Sequence, residues 1–540
     1  MNILALSAPE AKDNRMNTKS LSSKTPFSLQ SALIQCVLQT RNPNSAWADS
    51  NWKDGTYGVL EKNIKMFHSW VEEQQEIKDF LGVKPDILLI GAMSISYKGA
   101  IEIAKLMKSI RRDTLIVLGG YHANETMYMA YNSNTVEHHV ASPLLQISKQ
   151  KIDNVFDFVI SGEAEFLLAE IGEIVGRILT QSTQLCLQEM VQSVFFSIEN
   201  NKHTIQGEWM LGMVDNKQEI KTTYNLGTAI DRSQFPSRAS VFGVSGWFDV
   251  FRHNATEDIR TAHVMDGVAG GCVYNCNFCS EGSRLRFKGT KTSAAVSLYT
   301  KFKEIQNAII SQGTHFIPSA FVEDSVLLKG SIKEMEELCE IHNNSAEPMN
   351  LRWGAQLTID LCLKIQQQIK KLKAVGLEYL FIGLETKSPE KLGSKDAKGF
   401  DKNIGAQSSW EDRSAEVMKF LSFNGINVGV SIVFGIGETH GDRLELLNMI
   451  QKWQMLYRQP VLVSANWGVV HPMKGLNGGT DNHYEYLDWP VKDEYLEALQ
   501  NYGEASTAYP FSEGAIPTIE KLHELEYLLQ EINNYNSLFK

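Results

Sequence analysis

The first 180 residues alternate short apolar runs with amphipathic segments. Residues 3–6 read as a strand, and Asp86-Ile-Leu-Leu-Ile-Gly-Ala as a short buried one. Over residues 99–111 the apolar positions Ile101, Ala104, Leu106, Met107 and Ile110 recur at helical spacing. Thr114-Leu-Ile-Val-Leu-Gly-Gly and Phe156-Asp-Phe-Val-Ile-Ser-Gly then read as further strands. Continuous apolar strands separated by helices predict a parallel, doubly wound α/β sheet, whose ligands sit at the carboxyl ends of the strands. Residues 186–262 change character and read as a connector, with a hairpin over Asn200 and Asn201. From residue 263 the alternation resumes. Strands are expected over 263–268, 316–322, 351–356, 379–384, 428–434 and 461–470. Helices are expected between them over 301–311, 332–342, 361–375, 414–423 and 443–456. Six strand–helix repeats predict a partial (β/α)6 barrel over residues 263–475. A C-terminal extension, 476–540, ends in a helix over 519–534, and residues 1–185 form the N-terminal Rossmann-like unit.

Composition narrows the class. The chain has 540 residues, 43% hydrophobic and 21% charged, which excludes a disordered or fibrous protein. A net charge of −11 disfavours nucleic acid as a partner. No run of about 20 apolar residues is present, so no membrane span is expected. The opening Met-Asn-Ile-Leu-Ala-Leu reads as a first strand rather than a signal peptide. Seven cysteines, three of them within eight residues, do not make a secreted disulfide framework, so a reducing cytoplasm is expected.

Those three cysteines carry the chemistry. In Gly270-Gly271-Cys272-Val-Tyr-Asn-Cys276-Asn-Phe278-Cys279 the thiols fall at C-x-x-x-C-x-x-C, just after the first barrel strand. Thiolates suit zinc or an iron–sulfur cluster. A structural zinc wants four closed ligands, and no Cys or His lies close after Cys279; His253 and His263 are upstream. Cys36, Cys186, Cys339 and Cys362 are solitary. Three thiolates on a 4Fe–4S cubane leave one iron open to an amine and a carboxylate. Zinc and the cluster both stand as readings of the spacing, and the missing fourth ligand favours the cluster.

The segment resembles the radical S-adenosylmethionine (radical SAM) enzymes, and the resemblance extends beyond the cysteines. It implies that Cys272, Cys276 and Cys279 hold the cluster, whose open iron binds S-adenosylmethionine and cleaves it to a 5′-deoxyadenosyl radical. It implies that Phe278 lies near the adenine. Phe321-Val-Glu323-Asp324-Ser325 ends the second strand, where the family contacts the methionyl amine. Ile382-Gly-Leu-Glu385-Thr386 ends the fourth, at the family's polar contact to the ribose or methionyl end. Gly429 to Thr439, with Gly435 and Gly437, resembles the fifth-strand pattern that packs on adenine, although Ile436 replaces the usual proline. Trp467 to Gly475 resembles the sixth strand and its exit.

The N-terminal part resembles the cobalamin-binding branch of this family. Gly119-Gly120-Tyr121-His122 matches a G-G-x-H element after a strand, and Gly162-Glu163-Ala164-Glu165 a G-E-x-E element. Ser94 follows another strand, where relatives approach the nucleotide tail. The D-x-H-x-x-G signature of cobalamin mutases is absent; Asp481-Asn482-His483 opens such a pattern, but Tyr486 stands at its glycine position. No lower axial histidine is therefore expected. The resemblance implies a cobalamin-dependent methyltransferase acting on an unactivated carbon. Its alternative is a radical dehydratase, dehydrogenase or ring-rearranging enzyme that keeps the domain without methyl transfer. A non-enzymatic iron–sulfur or corrinoid carrier would need no carboxylates at the strand ends. Expected partners are a small-molecule or peptide substrate and an external electron donor of the flavodoxin or ferredoxin type.

Overall fold

A computed structural model describes residues 1–9, 24–53, 55, 62–93, 96–129, 135–139, 141–181, 185–227, 229–244, 258–266, 272, 293–387, 409–434, 438–467 and 518–539. The chain forms two compact units, divided in the described sequence between Ile230 and Asp231.

The first unit is built on β1 (Ile3–Ser7), β2 (Ile64–Met66), β3 (Ile87–Gly91), β4 (Leu115–Gly119), a small ribbon of β5 (Met127–Met129) and β6 (Val136–His138), then β7 (Phe158–Gly162), β8 (Trp209–Val214) and β9 (Ile220–Asn225). The main sheet runs β2-β1-β3-β4-β7-β8-β9. Its first five strands are parallel, and β8 and β9 add antiparallel. Every residue of β1 and β3 is buried, because helices cover a parallel sheet on both faces and its central strands have no solvent side. The helix Tyr97–Ile110 follows β3, and its apolar stripe includes Ile101, Ala104 and Met107 as the spacing predicts.

The expected hairpin over Asn200 and Asn201 is instead the end of a helix, Leu187–Asn201. Met190, Val191, Val194, Phe195 and Ile198 form its buried stripe, so a helical period lay within a run of β-prone residues. The hairpin comes later, between β8 and β9. There Asp215 accepts from the backbone N–H of Lys217 and of Glu219, each at 2.9 Å, and closes the turn. Much of the expected connector over 186–262 therefore extends the first sheet, and the unit ends near Ile230 rather than 185.

The second unit carries β10 (Ile259–Val264), β11 (Ile317–Val322), β12 (Arg352–Thr358), β13 (Leu377–Glu385), β14 (Asn427–Phe434) and β15 (Val461–Trp467). They pair in sequence order, all parallel, as the six-repeat reading predicts. The intervening helices are Ala294–Gln312, Ile332–Asn344, Trp410–Phe423 and His440–Tyr457; the helix expected over 361–375 is two, Ile359–Lys364 and Gln366–Ala374. Ser293, Ser331, Ser409 and Thr439 cap four helix starts with their hydroxyls. The last helix, Ile519–Asn536, guards the edge strand. Asn536 accepts from the N–H of Val461 and donates to its carbonyl, both at 2.8 Å, so a side-chain amide occupies the place of a seventh strand. Among the described residues no helix is long and apolar enough to cross a membrane.

Candidate active site

The strands of the second unit alternate in what they present. Ala320, Val322, Trp353, Ala355, Leu380, Ile382, Val428, Val430 and Ile432 join one large core with the helices. The residues between them line the opposite, inner face. On that face Phe321 and Tyr379 pack with rings 6.0 Å apart, flanked by Phe381 and Leu462. Toward the carboxyl ends the inner face turns polar: His263 on β10, Glu323 after β11, Gln356 on β12, Glu385 on β13 and Ser431 on β14. A parallel barrel sheet places its chemistry at this end.

Glu323 is engaged on three sides. His263 Nδ1 donates to its carboxylate. Its N–H donates to Val264 O at 2.7 Å, and its carbonyl accepts from Gln356 Nε2 at 3.5 Å. The buried guanidinium of Arg238 bonds the carbonyl of His263 and lies in the field of Glu323. Asp324, the next residue, turns away from the inner face. Its carboxylate accepts from the N–H of Asp266 at 2.8 Å, and burial, reinforced by the Asp266 carboxylate, holds its own carboxyl well above the usual range. The two carboxylates of one motif therefore have different duties: Glu323 borders the inner face, and Asp324 secures the backbone beyond β10.

Glu385 ends β13 in the left-handed region, φ +57°, where a non-glycine residue is strained. The N–H of Thr386 closes a three-residue turn onto Leu384 O at 2.8 Å. The turn folds the carboxylate back over the strand. A Cβ on Gly383 would stand 2.6 Å from Glu385 Oε1, so glycine makes the room. Ser431 donates to Glu385 Oε2 at 3.4 Å, and burial pushes the carboxyl up to about 8. Folded Glu385 then keeps a proton that the unfolded chain releases near pH 4.5. This group's contribution is present below about pH 4.5 and is lost as pH rises to about 8. Urea unfolding should show stability falling across that window, and Glu385→Gln should flatten the slope. An unchanged slope would remove the buried acid.

Four of the residues that sequence analysis places at this site are described: Cys272, Glu323, Asp324 and Glu385. Cys272 follows β10, half buried against the core. Cys276, Cys279, Phe278, Gly435 and Gly437 lie outside the described residues. Two buried hydroxyls on β10 and β11, Thr261 Oγ1 and Ser319 Oγ, have no hydrogen-bond partner among the described residues. The carboxyl groups of Glu323 and Glu385 at the strand ends can accept from a ligand's ammonium, and a three-thiol segment suits an iron–sulfur cluster. His263, Gln356 and Ser431 were not singled out by sequence reasoning. Their signal is polarity at alternate positions in otherwise apolar strands.

In the first unit the motif residues divide. Gly119 and Gly120 leave β4 beside Ala92, where small residues line the carboxyl edge of the sheet. His122 is 2% exposed. Its ring stacks on Tyr97 at 3.9 Å, and Nε2 lies 3.1 Å from Ala141 O, an acceptor, so that nitrogen carries the proton. Burial pushes its pKa down to about 4. Glu163 accepts from the N–H of Glu208 and of Ile230, each at 2.9 Å. Gly162 is exposed and left-handed, φ +94°, its N–H given to Asn124 at 2.8 Å. Ser94 lies outside the described residues. His122 and Glu163 thus hold the protein's own backbone.

Comparison with known proteins bears on this arrangement. Biotin synthase of Methanococcus vannielii is 28% identical over 204 residues, 35% of this chain and 51% of that protein. Biotin synthase of Hydrogenobaculum sp. is 26% identical over 187 residues, 34% of this chain and 49% of that protein. The chain thus spans about half the length of these curated relatives. A solved structure of the cobalamin-dependent S-adenosylmethionine radical enzyme OxsB with aqua-cobalamin bound matches all of this chain and 72% of that chain. It does so with TM-score 0.52 at 13% identity, a likeness of fold. The family model of the Radical SAM superfamily matches residues 268–450, from just beyond β10 into the helix after β14.

Proposed function

We propose that this protein is a cobalamin-dependent radical SAM methyltransferase acting on an unactivated carbon. The observation that carries the reading is positional. A C-x-x-x-C-x-x-C segment follows the first of six parallel strands, and Glu323 and Glu385 stand at the carboxyl ends of the second and fourth. The reading assigns Cys272, Cys276 and Cys279 to a 4Fe–4S cluster. It assigns Phe278, Glu323, Glu385, Gly435 and Gly437 to S-adenosylmethionine, and Asp324 to support from behind. When bound, the cluster and S-adenosylmethionine would supply a deoxyadenosyl radical to remove a hydrogen atom, and a separate corrinoid would carry the methyl group. The chain's own part is to bind, orient and exclude water. Glu385 can give a hydrogen bond while protonated; a cationic ligand beside it would favour the carboxylate, which accepts one, with the proton released to solvent. Phe321 and Tyr379 would give the ligand an apolar neighbour on the inner face. An external one-electron donor of flavodoxin or ferredoxin type and a reducing cytoplasm complete the reading.

The corrinoid belongs, in this reading, to the carboxyl edge of the first sheet, a Rossmann-like cobalamin-binding domain. Gly119 and Gly120 support it, because small residues admit a flat macrocycle. The internal duties of His122 and Glu163 favour a second reading: a radical dehydratase, dehydrogenase or ring-rearranging enzyme that keeps the sheet without methyl transfer. The test is anaerobic reconstitution with iron, sulfide and hydroxocobalamin, followed by desalting and a corrinoid count per chain. One corrinoid per chain, with both S-adenosylhomocysteine and 5′-deoxyadenosine formed, is the expected result. A cluster without corrinoid, yielding deoxyadenosine alone, would overturn the methyltransferase and leave the second reading.

A further inference from the structure

Met265 and Asp266 lead from β10 toward the cysteine segment, and three side chains converge on them. Lys301, on the helix Ala294–Gln312, is 6% exposed. Its ammonium donates to the carbonyls of Arg232 at 3.0 Å, Met265 at 3.3 Å and Asp266 at 3.4 Å. Ser297, one turn earlier on that helix, gives its hydroxyl to the same Asp266 carbonyl. From the other side, Asp324 accepts the Asp266 N–H. Both backbone groups of Asp266, itself wholly buried, are thus tied to side chains of neighbouring elements.

Burying an ammonium is costly unless it meets several acceptors. A lysine needed only for its volume could be methionine without that cost. Its chain instead reaches across to two consecutive carbonyls of the strand exit and to the carbonyl of Arg232, near the start of this unit. Helix, strand end and unit start are thereby pinned to the one point from which the polypeptide departs toward Cys272, six residues on.

We infer that Lys301, with Ser297 and Asp324, is the anchor that fixes the departure of the cysteine segment from β10, and so sets how firmly the cluster is held. Lys301 is a positioning residue; it contacts no substrate and ligates no iron. The inference rests on the cluster reading above. It goes beyond that reading by assigning cluster retention to a knot outside the motif.

The test compares wild type with Lys301→Met, Lys301→Arg and Ser297→Ala. Lys303→Met on the same helix serves as control, because Lys303 bonds only the exposed carbonyl of Glu347. Each is reconstituted anaerobically, and two quantities are followed: the rate of iron transfer to a chelator, and the paramagnetic spectrum of the reduced cluster. Lys301→Met should release iron roughly fivefold faster or more, as expected for losing charge-assisted bonds to the backbone, with an altered spectrum. Lys301→Arg should restore much of the retention, since it can still donate to the carbonyls. Ser297→Ala should show a smaller change in the same direction, and it keeps the test open should Lys301→Met fail to fold. Wild-type release rates and spectra in both Lys301→Met and Ser297→Ala would overturn the anchor while leaving the cluster in place. A wild-type protein that takes up no iron would overturn the cluster reading and the anchor with it.

Discussion

Cys276→Ala should abolish 5′-deoxyadenosine formation and strip the protein of its visible iron–sulfur absorption. The expected loss is at least about a thousandfold, the scale seen when an essential group is removed outright rather than weakened. A cubane held by three thiolates keeps one iron for the ligand. With two thiolates it loses a corner, and no other Cys or His in the segment can replace it. The fold should not pay for the change, because the core of the second unit lies on the helix side of its sheet, around Phe302, Trp353 and Leu380. Cys362→Ala supplies the contrast. Cys362 is fully buried in that core, and burial pushes its thiol up, away from the ligating form. It should keep the cluster and lose some stability. The measurement is iron per chain and deoxyadenosine per cluster, both without oxygen. Full cleavage by reconstituted Cys276→Ala would sink the assignment of the three thiols.

The second unit was legible because its strands are simple. Most are apolar runs beside amphipathic helices, so period and order were enough for their number and sequence; the first, expected over 263–268, is instead Ile259–Val264, where Arg260 and His263 break the apolar run. The N-terminal strands β1, β3, β4 and β7 were equally plain. What escaped has physical causes. The segment 187–201 mixes Val, Phe and Ile with a terminal Asn pair, and only its contacts decide between a helical stripe and a hairpin. Strand β2 is three residues long at a sheet edge, too short for any period. At the site, Glu323 and Glu385 could be found by position, but their unlike states could not. One is engaged by His263; the other is a buried acid on a strained turn. The duties of Lys301 and Arg238 depend on elements 25 to 69 residues away meeting in space, which no local pattern records.

Gly120→Ala should strike the first unit as hard as the cysteine change strikes the second. Gly120 has φ +97°, and a Cβ there would stand 2.7 Å from Ala92 O and 2.8 Å from Ala92 N. Both are backbone atoms at the exit of β3, so no side chain can swing aside. They are also already committed: Ala92 N–H donates to Gly119 O at 3.0 Å, and Ala92 O accepts from His122 N–H at 3.1 Å. Strain at the left-handed position and overpacking against backbone each cost about 1–3 kcal/mol, so a loss on the order of 3 kcal/mol is expected. In Gly-Gly-x-His, then, the glycine lets two strand exits touch. The histidine, neutral and stacked on Tyr97, ties the turn to Ala141. Chemical unfolding measures the loss. If the corrinoid rests on this edge, Gly120→Ala should also lose at least roughly tenfold in corrinoid retention, the equivalent of about 1.4 kcal/mol, while iron uptake by the second unit stays at wild-type level. Wild-type corrinoid retention in a destabilised Gly120→Ala protein would make the motif a fold element alone and move the cofactor, if any, to another surface.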